Sequence, residues 1–288
     1  MNKIFSYKKE YILSTYPCAI TLIFSLIFSI TVYAQSLDTI RKIKALPRDL
    51  EIELALSALP PHLRDSATVY VLNPEKGFEV ARQGTNGFHA FVARTGDDAM
   101  RGSWILKQYR DDVIYPISFD EEGAKVQMQV FFDIAAMQAK GTPSEDLKKL
   151  IQERFKTNYY KAPQRPGVSY MLSPILCTYI NPEQNDSVKV INFPHIMYFA
   201  PNVSNKDIGA GTIKPAEFNY LVKHGEWLHV PYPNIINQGP HGYLIQGRGD
   251  EERKMINRDY EAMLAKLCAI NKKWCLPKQL SPSTEHHH

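Results

Sequence analysis

The chain is short of the residues that label the commonest chemistries. It has four Cys in 288 residues, far too few for a disulfide scaffold. It has no C-x-x-C, no H-E-x-x-H, no G-x-S-x-G and no Gly-rich phosphate loop ending in Lys, and its one S-x-x-K, Ser6–Lys9, lies in the basic start of the chain. The labelled routes to zinc, thiol, serine and nucleotide chemistry are therefore missing, although an unlabelled enzyme is not excluded. Excess charge is also scarce: 34 Lys and Arg against 30 Asp and Glu leave +4, spread along the chain. That excludes the basic footprint of a nucleic-acid partner. No cofactor motif, internal repeat or low-complexity tract is present.

What is present begins with an export signal. Lys3, Lys8 and Lys9 precede an apolar centre over 19–32, and Tyr33, Ala34 and Gln35 follow it. A basic start, an apolar centre and small residues at Val32 and Ala34 predict a signal peptide over 1–34, cut before Gln35. The expected location is periplasmic or extracellular. The alternative is an uncleaved segment, the one way in which this chain would hold a membrane. Cys18 leaves with the signal, so Cys177, Cys268 and Cys275 enter an oxidising compartment. Cys268 and Cys275 lie seven apart, about 10.5 Å on a continuous helix, too far for a bridge. A bridge between them requires the helix to end in between; otherwise Cys177 is a partner. In either case one Cys is left over.

From Gln35 to the end the pattern predicts one α+β domain, with a mixed or antiparallel sheet, flanking helices and a tail from about 277. Leu37–Leu59 is expected to be helical, interrupted at Pro47, which suits a new helix start, and stopped by Pro60-Pro61. Strands over 67–72, 78–82 and 88–94, separated by Asn73–Gly77 and Gln83–Gly87, predict an antiparallel meander, because Asn86-Gly87 is a strong hairpin signal. Pro116 places the strand at 113–119 near an edge. Asp120 is expected to cap a helix reaching about Ala139, with Val126, Val130, Ile134 and Met137 on its inner side. Helices at 144–156 and 250–270 and strands at 168–172, 188–191, 195–200, 226–230 and 242–246 complete the reading. Strands in runs without regular βαβ alternation fit α+β.

Three strings are candidates for a site. In Arg82-Gln-Gly-Thr-Asn-Gly-Phe88, Gly84, Asn86 and Gly87 tolerate positive φ, so backbone N–H groups there, Thr85 included, can converge on an anion flanked by Arg82 and Arg94. The bland alternative is a plain turn. In the strand from His195, His195 shares a face with Met197 and Phe199, and Tyr198 lies on the other. His195 is either a general base or a hydrogen-bonded core histidine. In Arg165–Pro174, Ser173 ends a strand and Tyr170 offers a hydroxyl. A relay of Ser173, His195 and Asp120 would make a hydrolase. His224, Glu226 and His229 lack metal-site spacing, since a five-residue step on a strand puts the two His on opposite faces. No metal or cofactor is expected.

Several strings together, including Arg82–Phe88, Pro116–Asp120, Pro163–Ser173 and Pro194–Asn202, resemble an uncharacterised family of exported bacterial proteins. The resemblance spans about 50–205 and implies export and a shared fold. It implies no catalytic residues. The leading expectation is binding of a small polar or anionic ligand by Arg82, Gly84–Phe88, Arg94, Tyr170, Tyr198, Asn202 and His195. The alternatives are a hydrolase centred on His195 and an envelope structural or interaction module. Nothing in the sequence marks an oligomeric state.

Overall fold

The computed structural model describes residues 43–95, 109–179, 188–208, 234–236 and 239–277. The expected signal segment at 1–34, residues 96–108, the expected strand at 226–230 with nearby His224 and His229, and the tail from 278 lie outside the described residues.

Pro47 is extended and sets the start of α1 (Arg48–Ser57), with Asp49 and Glu51 in its first turn where the helix dipole favours them. Leu50, Leu54 and Ala55 are buried. Pro61 does not merely end this helix; it occupies the first turn of a short α2 (Pro61–Arg64), the position where its missing N–H costs nothing. β1 (Thr68–Asn73) and β2 (Gly77–Arg82) form the expected hairpin. Asn73 Oδ1 accepts the Glu75 N–H in the turn. Gly77 is required there: its φ is 95°, and a Cβ would lie 2.9 Å from Ala136 N.

The meander stops at that hairpin. β3 (His89–Ala93) adds to the far side of β1, parallel to it, and β4 (Tyr115–Phe119) pairs antiparallel with β3, giving the order β2-β1-β3-β4. Asn86-Gly87 is therefore not a hairpin turn but part of a loop that crosses the start of β1. β4 ends this ladder, as Pro116 leads one to expect.

Asp120 caps α3 (Glu121–Val126), its Oδ1 accepting the Gly123 N–H at 2.8 Å. The expected single helix is interrupted at Gln127, and α4 (Met128–Ala139) follows. Val130 and Ile134 are buried as expected, with Met128, Phe131 and Ala135 beside them, whereas Val126 and Met137 are only half-buried. α5 (Ser144–Lys156) buries Leu147 and Ile151. Next come β5 (Val168–Met171), β6 (Leu176–Tyr179), β7 (Val188–Ile191), β8 (His195–Phe199), β9 (Asn234–Ile236) and β10 (Tyr243–Gly247). Four of these make a second, antiparallel sheet in the order β5-β8-β10-β9, while β6 and β7 form a separate ribbon. The last expected helix is two, α6 (Asp250–Asp259) and α7 (Glu261–Ile270), divided at Tyr260.

The two faces of the first sheet organise two apolar clusters. Phe91, Ile117 and Phe119 face α4 with Phe131 and Ile134. Val69, Ala90 and Val92 face α1 and α7 with Leu54, Met263 and Leu267. The protein is an α+β domain, with helices on both sides of its first sheet. Cys268 and Cys275 are disulfide-bonded, because α7 ends at Ile270 and the chain turns back, bringing their Cα atoms to 4.5 Å. Among the described residues Cys177 is the free thiol, and it is buried. No helix among the described residues is long and apolar enough to cross a membrane.

Candidate functional site

The loop after β2 uses its donors internally. Thr85 and Asn86 both donate their N–H to Ser66 O, at 2.7 and 3.2 Å. Gly84 N–H donates to Thr68 Oγ1 at 3.0 Å, and Phe88 N–H to Asn86 Oδ1 at 3.0 Å. Asn86 Nδ2 reaches Leu63 O at 2.8 Å. Gly84 sits so close to the start of β1 that a Cβ would lie 2.2 Å from Ala67 C. Gly87, with φ 77°, turns the chain into β3. Arg82 donates to the carbonyls of Arg64 and Ala67. The expected anion nest is not formed: the Gly84, Thr85, Asn86 and Phe88 amides are already paired, and Arg82 points at backbone. Arg94 is buried at the other end of five-residue β3, about 17 Å away. It donates to Val113 O, Lys44 O and Asp111 O at 2.8–2.9 Å.

The proposed relay is also dispersed. His195 is 3% exposed and stacks on Phe193 at 4.6 Å. Its Nδ1 lies 2.7 Å from Phe193 O, which can only accept, so Nδ1 carries the proton. Ser173 is buried, and its Oγ accepts the Ile175 N–H at 3.5 Å. Among the described residues no hydrogen bond joins Ser173 to His195. Asp120 holds Gly123 N–H with one oxygen and Val168 N–H with the other, at 2.8 and 2.9 Å. It thus meets the Val168 end of β5, whereas His195 lies opposite Met171, three residues or about 10 Å along the strand. Asn202 is a turn residue with φ 61°, donating its N–H to Gly239 O.

Other candidates do come together. Register places Val168, Tyr170, Ile196, Tyr198, Leu244 and Gln246 on one face of the second sheet, opposite the face that carries His195. The Phe88 ring meets the Tyr170 ring at 5.9 Å. Tyr198 is 40% exposed, and its hydroxyl donates to Gln246 Oε1 at 3.4 Å. Burial raises the Tyr170 phenol, and nearby Tyr198 and Asp120 add to the rise. Ser118 ties this face to the first sheet. Its Oγ donates to Tyr170 O at 3.0 Å and accepts the Tyr170 N–H at 3.2 Å.

Sequence reasoning missed two further groupings. Tyr70 OH and His89 Nδ1 share a 3.0 Å hydrogen bond across the parallel β1–β3 pair. Burial lowers the imidazole, which Glu121 partly offsets, and burial raises the phenol. Seeing this pair requires knowing that β3 joins β1. The second is a narrow cleft lined by Leu72, Phe78, Arg94, Thr95, Phe131 and Gln138. Thr95 Oγ1 and Gln138 Nε2 are buried there without a partner. Its interior has room for about one water, which suits two such groups. Beside Arg94, burial pushes the Glu51 carboxyl up to about 7, against the pull of the Leu72 N–H, Arg94 and Arg48. Among the described residues no three His, Cys, Asp or Glu side chains converge as a metal set. No family model, curated protein or solved structure matches the chain.

Proposed function

We propose that this is an exported protein that acts by binding a small polar ligand on the face formed by Phe88, Tyr170, Tyr198 and Gln246. One observation carries the reading: strings far apart in sequence place two tyrosines with half-exposed or exposed rings, and a glutamine amide, side by side on one sheet face. Tyrosine offers an apolar ring and a hydrogen-bonding tip, which suits a ligand with a flat apolar side and hydroxyls, such as a pyranose. The anionic preference is dropped, because Arg82 and Arg94 are engaged with carbonyls. Export rests on the signal pattern at 1–34 and is supported by the Cys268–Cys275 disulfide, which persists in oxidising compartments. A hydrolytic relay finds no such support, since Asp120 and His195 serve different ends of β5.

The test is calorimetric titration of residues 35–288 with a panel of mono- and disaccharides, on the parent and on Tyr198→Ala. Saturable binding weakened about tenfold or more by the substitution is expected. Failure of the whole panel, or binding that Tyr198→Ala leaves unchanged, overturns the assignment of this face.

A further inference from the structure

Beyond α7 the chain makes a single 3-10 turn, Lys272–Trp274, which Asn271 caps by accepting the Lys273 N–H at 3.0 Å. The turn lies inside the loop closed by Cys268 and Cys275. It sends Trp274 into the cluster that also holds Ile114 and Cys177, leaving 3% of it exposed. Trp274 Nε1 donates to Asp112 O at 2.8 Å, and Lys273 Nζ reaches Asp112 Oδ2 at 2.7 Å. Arg110 grips the same carboxylate at 2.6 and 2.7 Å. Two residues on, Ile114 exchanges backbone bonds with Cys177 at 2.7 and 3.1 Å. The turn also packs on β7, where Val190 is the partner of Cys177. Trp274 and its turn thus cover a two-stranded ribbon, a unit marginal by itself.

We propose that the Cys268–Cys275 disulfide is a redox-sensitive latch: it holds Trp274 over the β6–β7 ribbon, and its reduction by a dithiol releases the turn and opens Cys177 to modification. Both bridged cysteines are half-buried and within reach of a reductant, whereas Cys177 is fully buried. A three-residue 3-10 turn has poor hydrogen-bond geometry and little stability of its own. Burial pushes the Cys177 thiol up to about 12, so it is inert while covered. In the step itself, a thiolate of the dithiol attacks one bridging sulfur and the S–S bond breaks. The second thiol of the reductant then displaces the mixed disulfide. The reductant leaves as its own disulfide, and two electrons and two protons end on Cys268 and Cys275. This inference stands apart from the ligand-binding reading.

The test is the rate at which N-ethylmaleimide modifies Cys177 in the folded protein, read by peptide mass mapping. It is compared in oxidised parent, parent reduced with dithiothreitol and desalted anaerobically before labelling, Cys268→Ser/Cys275→Ser, and Trp274→Ala with the bridge intact. The latch predicts labelling at least about tenfold faster in the last three, with far-UV circular dichroism retained. Equal labelling in the oxidised and reduced parent overturns it. So does loss of far-UV signal on reduction, because a latch opens locally. If the double serine variant does not fold, the reduced parent and Trp274→Ala decide the matter, and unchanged labelling in either counts against the latch.

Discussion

The two ends of the first sheet are held by different means. At the end where β1 and β3 begin, the loop Gln83–Phe88 lies across Ser66–Thr68, fixed by neutral hydrogen bonds and a glycine in near-contact with backbone. At the other end, Glu51 accepts the Leu72 N–H, Arg94 gathers three carbonyls, and Asp112 holds Arg110, Lys273 and the tryptophan turn. The loop at the first end depends on shape and neutral hydrogen bonds, with the buried Tyr70–His89 pair as its titrating neighbour. The second uses buried charge and a covalent loop, so its strength varies with conditions. A candidate-site string full of glycine and polar residues is here a structural crossing.

The sharpest break of this contrast is Gly84→Ala. Its methyl group would meet Ala67 backbone at 2.2 Å, with no flexible side chain to yield. We expect a loss of about 4 kcal/mol or more, seen as little folded protein or a collapsed urea midpoint. Next is Glu51→Gln. The folded carboxyl holds its proton up to about 7, the free one to 4.5. Its stabilising contribution is therefore complete below the lower value and is lost as pH rises through the higher one, a difference of about 3 kcal/mol. Urea titrations at about pH 5 and about pH 8 should show the parent weaker at the higher pH and the Gln variant nearly level. An equal pH slope in both would place the effect elsewhere.

Opening the covalent loop ranks third. Cys268→Ser/Cys275→Ser should cost about 2.5 kcal/mol for a loop of this length, as a lower thermal midpoint at constant pH. The smallest effect is expected at the neutral end. Asn86→Ala loses the bonds to Leu63 O and Phe88 N–H, and should cost about 1–2 kcal/mol at every pH between about 5 and 8. A pH-dependent cost there would undo the comparison.

Local signals in the sequence were reliable where one element decides its own fate. Pro47, Asp120 and the Asn73–Gly77 turn predict the starts of α1 and α3 and the β1–β2 hairpin. The reading failed where the partner is remote. Asn86-Gly87 carries a hairpin signal, but the Asn86 amide, with that of Thr85, finds Ser66, far back in the chain. β6, Leu176–Tyr179, went unnoticed; besides its pairing with β7 it bridges Ile114, which is remote in sequence. The site followed the same rule. Alternation puts Tyr198 opposite His195 from sequence alone, yet only strand pairing brings Tyr170 and Gln246 beside it. The condition for a Cys268–Cys275 bridge, a helix ending between them, was legible, and Ile270 meets it.

The crossing of β1 also imposes an order of assembly. The β1–β2 hairpin needs only a local turn and forms from neighbouring residues. β3 reaches its parallel partner only after the loop has closed over Ser66. Once it has, the start of β1 lies beneath a strap of its own chain, between β2 and β3. A nascent chain released before Ala93 therefore lacks β3, and the Val69 face of β1 has α1 to pack on but not yet the neighbouring strand or α7.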